Sequence, residues 1–139
     1  MKVAVLYANV KNIVNNQLKT ISENLSHGVS SNGHDVDLFN IYLSNNIKLT
    51  FYDYIVVITK AVSFFSASVP NVISDFLATS GMVSGKKSSC FIVPVSLRKQ
   101  AVLLSLMKVL ESEGMFVRTS DYIKNLNMAY IIGKHLRIE

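Results

Sequence analysis

Apolar residues fall along this chain in two rhythms. Residues 2–7 (KVAVLY), 54–59 (YIVVIT) and 88–93 (SSCFIV) are short runs, most of them rich in β-branched side chains and none with polar alternation. Runs of that kind predict strands buried on both faces. Residues 36–41 (VDLFNI) alternate instead, which predicts a strand with one face less covered, as at a sheet edge. A last short strand is expected over 115–118 (MFVR). Between these runs the spacing becomes helical: Ile13, Val14, Leu18, Ile21, Leu25 and Val29 form one stripe, and Val72, Ile73, Phe76 and Leu77 another. Two further helices are predicted over 98–113 and 127–137, the second with Met128, Ile131, Ile132, Leu136 and Ile138 as its apolar face.

The breaks support this division. Asn32-Gly33, Gly81, Gly85 and Gly114 stand where elements should stop. Ser68 and Pro70 precede the second helix, where a capping hydroxyl and a first-turn proline belong. Strand and helix alternating with short links imply an α/β fold with a parallel sheet. With right-handed crossovers, these faces are buried by a three-layer α/β/α sandwich whose five strands lie in the order 2-1-3-4-5. Such a sheet binds ligands outside the carboxyl ends of its strands, beside the switch point between the first and third. Function is therefore to be sought in the loops after Tyr7, Thr59 and Val93.

At 139 residues the chain is expected to form a single domain, residues 1–139. No apolar run approaches the about 18 residues that span a bilayer, and the start, MKVAVLYANVKN, lacks the features of a signal peptide. A single cysteine, Cys90, excludes an internal disulfide and suits a reducing compartment. The expectation is a cytoplasmic protein without a membrane partner, with Cys90 as core filling. The formal net charge is +5, but the basic residues are scattered, without the one-sided blocks of a nucleic-acid binder.

The stretches YDYIVVIT, SFFSASVPNVISDFL and SGKKSSCFIV, together with the closing MAYIIGKHL, are similar to the flavodoxin-like family, and more narrowly to its flavodoxin and small NAD(P)H-dependent FMN-reductase branches. The resemblance covers nearly the whole chain in the order of its elements. It implies a flavodoxin-like fold, FMN as cofactor, electron transfer with a redox partner protein and, for an enzyme, an FMN-dependent oxidoreductase.

The residues that would carry the flavin depart from the family pattern. In the first loop the family wraps the FMN phosphate with Ser, Thr and Gly at a helix N-terminus, whose free N–H groups favour an anion. Here Asn9, Lys11 and Asn12 supply donors, while Val14 replaces the final threonine. In the second loop Ser63 stands for a proline, Phe65 for the ring-flanking aromatic and Ala67 for a glycine. In the third, PVSLRK contains no glycine, so the backbone cannot approach a flat ring closely, and Ser96 and Arg98 would have to substitute. Lys11, Lys60, Arg98 and Arg118 are each expected at or just past the carboxyl end of a strand, which would gather them on one rim that favours a flavin or another anionic small molecule.

Other chemistries lack their residues. The acidic pair of a receiver domain is replaced by Tyr7-Ala8-Asn9, and Ile58-Thr59-Lys60 stands where its aspartate would be. His27, His34 and His135 are too dispersed for a metal motif, and no G-x-S-x-G or Walker pattern occurs. Two functions stay open: an FMN redox module with a weakened flavin site, or a flavodoxin-fold scaffold that has lost FMN and acts through protein contacts. Eight of the ten residues from Ala101 to Leu110 are apolar, more than one helix face hides against a sheet. Either covering loops or a homodimer accounts for that excess. The pairing stripe would be Leu103, Leu106 and Leu110, or alternatively Leu104 and Met107.

Overall fold

The computed structural model describes residues 1–8, 17–44 and 46–138. Its elements are β1 (Lys2–Ala8), α1 (Gln17–Ser30), β2 (Asp35–Asn40), β3 (Tyr54–Lys60), α2 (Val72–Thr79), β4 (Lys87–Val93), α3 (Lys99–Ser112), β5 (Phe116–Tyr122) and α4 (Leu126–His135). The five strands form one sheet in the order β2-β1-β3-β4-β5, and every neighbouring pair is parallel. Ile13 and Val14, expected to open the first helix, lie outside the described residues.

Alternation along each strand divides the interior into two cores. Ala4, Leu6, Ile55, Val57, Cys90 and Ile92 face one way, onto Ile73 and Leu77 of α2 and Val102, Leu106 and Leu110 of α3. Val3, Val5, Tyr54, Val56, Ile58 and Phe91 face the other, onto Leu18, Ile21, Leu25 and Val29 of α1 and Ala129 of α4. All of β3 is buried, as its unbroken apolar run requires. The Tyr54 and Ser89 hydroxyls pair within the second core, and Thr59 Oγ1 donates to the Ala8 carbonyl at 2.6 Å. No buried side-chain polar atom lacks a partner among the described residues, which avoids the cost of an unmet donor or acceptor. Burial pushes the Cys90 thiol up to about 12, consistent with core filling.

Several expectations change. β5 runs on to Tyr122 rather than stopping at Arg118, and a register irregularity at Ser88/Ser89 lets it follow β4. Its second half, Thr119-Ser120-Asp121, is polar because an edge strand needs no continuous apolar run. Arg118 therefore sits within the strand, not on the carboxyl-end rim. Ser68 and Pro70 do not cap α2: the helix starts at Val72 after Asn71, which makes no side-chain cap bond.

In α3, Leu106 and Leu110 are fully buried and Leu103 is half-buried, so the first proposed pairing stripe belongs largely to the core. Leu104 is 56 % exposed. In α4, Ile131 faces outward, while Ile132, Leu136 and Ile138 join the second core as expected and Ala129 and Gly133 complete the buried face. Those small residues let α4 lie tightly on α1, where Gly28 stands between Asn24 and Asn32. Asn24 Nδ2 donates to the Leu126 carbonyl at 3.1 Å, and Asn32 Nδ2 donates to the Lys134 carbonyl. Among the described residues no helix is long and apolar enough to cross a membrane.

Candidate functional site

The carboxyl ends of β3 and β4 open into a cleft of about 590 Å³ lined by Gln17, Phe64, residues 93–97, Lys99 and Lys124. It forms because the links after β3 and β4 are tied to each other. The Leu97 N–H donates to the Phe64 carbonyl at 3.0 Å, and Ser96 Oγ donates to the Ser66 carbonyl at 2.7 Å. Ser96 Oγ also accepts from the Arg98 N–H at 3.0 Å, just before α3 begins. Ser105 Oγ of α3 reaches the Ala67 carbonyl at 2.8 Å. These contacts hold residues 62–71 as a wall. On its far side lies a second cleft of about 590 Å³, lined by Tyr42, Val62, Ser66, residues 68–72 and Asp75.

The residues expected to form the site divide accordingly. Ser96 lines the cleft, but it is largely buried and its hydroxyl is engaged in the wall. Ser63 is exposed and turns the chain, its carbonyl accepting from Ser66 N–H at 3.1 Å. Phe65 is 73 % exposed and lies outside the lining; Phe64 takes the place at the wall, its ring edge-on to Phe65 with centroids 5.1 Å apart. Arg98 is exposed at the α3 N-cap and also lies outside the lining. Asn9, Lys11 and Asn12 fall outside the described residues.

Gln17, Lys99 and Lys124 were not legible as site residues. Lys99 follows from the phase of α3, whose first turn aims it at β5, with Nζ 5.3 Å from the centre of the Tyr122 ring. Lys124 follows from the added length of β5, which carries the basic position from Arg118 to beyond Tyr122. Among the described residues the lining holds two cations and no carboxylate, an arrangement that favours an anion.

Lys60 ends β3 in the buried part of the sheet, and burial lowers its pKa from the ordinary lysine value. It pairs in register with Val93 of the cleft. No group of three or more His, Cys, Asp or Glu among the described residues is placed to hold a metal. Among the described residues the arrangement offers apolar side chains at Phe64, Val95 and Leu97, two lysines and no acid–base pair. It can bind and position, and any bond-making chemistry would come from a bound group.

No protein-family model matches the chain, and no curated protein matches it. Solved structures do. Flavodoxin 1 of Bacillus cereus, in its oxidised form, superposes with a TM-score of 0.72 at 15 % identity over 99 % of this chain and 100 % of that one. A flavodoxin from the domain Archaea gives 0.70 at 18 % identity over 96 % and 94 %. The two-electron reduced flavodoxin of Megasphaera elsdenii gives 0.70 at 16 % identity over 95 % and 96 %.

Proposed function

We propose, from a flavodoxin-like fold as premise, that the cleft receives FMN weakly and that the protein relays electrons between it and a partner. The observation that carries this reading is the cleft itself. It lies at the carboxyl ends of β3 and β4, has Phe64 on one wall and Lys99 and Lys124 on its rim, and adjoins the crevice where this sheet order binds ligands. Bound there, the flavin would supply the one- and two-electron chemistry that no side chain of the lining provides.

The chain's own residues would do the rest. Phe64 offers a face for stacking, and Lys99 and Lys124 attract the anion. Leu97 and Phe65, 68 % and 73 % exposed, form an apolar approach for a partner protein beside the mouth. The glycine-free third link keeps the backbone away from a ring, and Val14 offers no hydroxyl. Two lost hydrogen bonds to charged oxygens, each about 1.5–3 kcal/mol, weaken binding by about a hundredfold or more. Titration of apoprotein with FMN, followed by flavin fluorescence, is expected to give micromolar affinity. Nanomolar quenching would overturn the weak-site reading, and no binding at millimolar FMN would overturn the flavin reading.

A second reading is favoured by the exposed Phe65 and Leu97: a scaffold without flavin that uses the same rim for protein contacts. Purified protein free of flavin absorbance, with no uptake of FMN, would support it.

A further inference from the structure

β3 ends on a charge in a place built for apolar groups. All its residues are buried, and Thr59 is locked by its bond to the Ala8 carbonyl. Lys60 follows it with only 9 % of its surface exposed. Its ammonium makes no hydrogen bond or ion pair with any described residue. No buried side-chain polar atom among the described residues lacks a partner, so this ammonium reaches water at the end of the strand while its stem stays buried, and a cation held in that way attracts an anion.

The surroundings supply the direction. Alternation sets Lys60 on the same face of the sheet as Ile58 and Val56, the face covered by α1. In register it stands beside Val93, a wall residue of the cleft, while Thr59 stands beside Ala8 at the end of β1. Lys60 is therefore at the β1/β3 switch point, next to a cleft whose described lining carries Lys99 and Lys124 and no carboxylate.

We propose that Lys60 is the internal counter-ion of this crevice, its ammonium holding the phosphate or other oxyanion group of the ligand at the switch point. This rests on the reading of the cleft as a ligand site and names the residue that meets the charged end. A phosphate monoester carried by a flavin and free inorganic phosphate share that chemistry, and the test separates them.

Apoprotein, Lys60→Met and Lys60→Arg are titrated by calorimetry at constant ionic strength with FMN, riboflavin and inorganic phosphate, and their melting temperatures are measured with and without phosphate. The unmodified protein is expected to bind FMN at least tenfold more tightly than riboflavin. Lys60→Met should bring FMN down to the level of riboflavin while leaving riboflavin unchanged, and Lys60→Arg should retain part of the preference. Phosphate should raise the melting temperature of the unmodified protein and not that of Lys60→Met. Without ligand, Lys60→Met should melt no lower than the parent, since it places an apolar side chain in a largely buried position, and that checks its fold. A preference for FMN that survives Lys60→Met, or equal stabilisation of both proteins by phosphate, overturns the proposal while the flavin reading stands. Stabilisation by phosphate through Lys60 with no uptake of either flavin keeps the counter-ion and overturns the flavin. No response to any of the three probes overturns both.

Discussion

Gly28 of α1 and Gly133 of α4 occupy each other's clearance. A methyl group on Gly28 would collide with the Tyr130 carbonyl and lie 2.7 Å from the Lys134 nitrogen; one on Gly133 would collide with the Leu25 carbonyl. The obstacles are backbone atoms, which cannot rotate away. Gly133→Ala should therefore force the helices apart and destabilise the fold by about 1–3 kcal/mol. Gly28→Ala should do the same, and the double variant should cost less than the sum, because one separation relieves both clashes. Urea melts of the three variants check this; full additivity would mean that the helices do not move as a pair.

Phe64 and Phe65 are neighbours with different predicted roles. Phe64→Ala should weaken FMN binding by about two- to tenfold, the range of one lost aromatic contact of about 0.5–1.5 kcal/mol. Phe65→Ala should leave FMN binding unchanged, because its ring is outside the cleft. Fluorescence titration of both variants reads the difference, and the reverse ranking would place the ring elsewhere.

Removing the Ser96 hydroxyl unties the wall from both sides, since it donates to Ser66 and accepts from Arg98. Ser96→Ala should cost about 1 kcal/mol. Amide exchange at Leu97, whose N–H is held by the Phe64 carbonyl, should quicken more than exchange in β3. Equal protection in parent and variant would show that the wall stands without this hydroxyl.

The Cys90 thiol, raised by burial from 9.0 to about 12, gives a pH dependence with a definite sign. Between those values the unfolded chain has lost the proton that the folded chain keeps, so stability falls as pH rises through that window. Buried Tyr54, also raised by desolvation, acts in the same direction at the upper end. Urea melts at pH 8 and pH 10 should show a smaller loss for Cys90→Ala than for the parent. Native protein should also resist alkylation at pH 8 and react once unfolded.

Self-association through α3, as a proposal, now runs through Leu104 with half-buried Met107 beside it. Leu104→Glu should convert a dimer to a soluble monomer by light scattering, because pairing would desolvate the new charge. If the unmodified protein already scatters as a monomer at high concentration, Leu104 is an isolated exposed leucine and the pairing is excluded.

The buried strands were legible because Tyr54–Lys60 and Lys87–Val93 are almost bare of charge, and the sheet order followed from their alternation with helices. What escaped depends on geometry that apolar periodicity does not encode. Ala129 and Gly133 count little as hydrophobic residues, yet they make the closest helix contact; Ile131 counts fully and points to water. At the cleft, the choice of Phe64 over Phe65 is set by one residue of loop trace. The choice of Lys99 over Arg98 is set by the phase of α3. Lys124 could be placed only once the full length of β5 was known, and that strand is polar at its end.

That polarity has an effect of its own. β5 is the open border of the sheet, where unpaired backbone groups invite a foreign strand to add itself. Arg118, Thr119 and Asp121, all exposed on this border, make such an addition unfavourable by keeping charge and water at the seam. Thr119 and Asp121, which hid the second half of β5, are thus with Arg118 a guard against fibrous assembly, and replacing them with valine would extend the strand's apolar pattern at the expense of solubility.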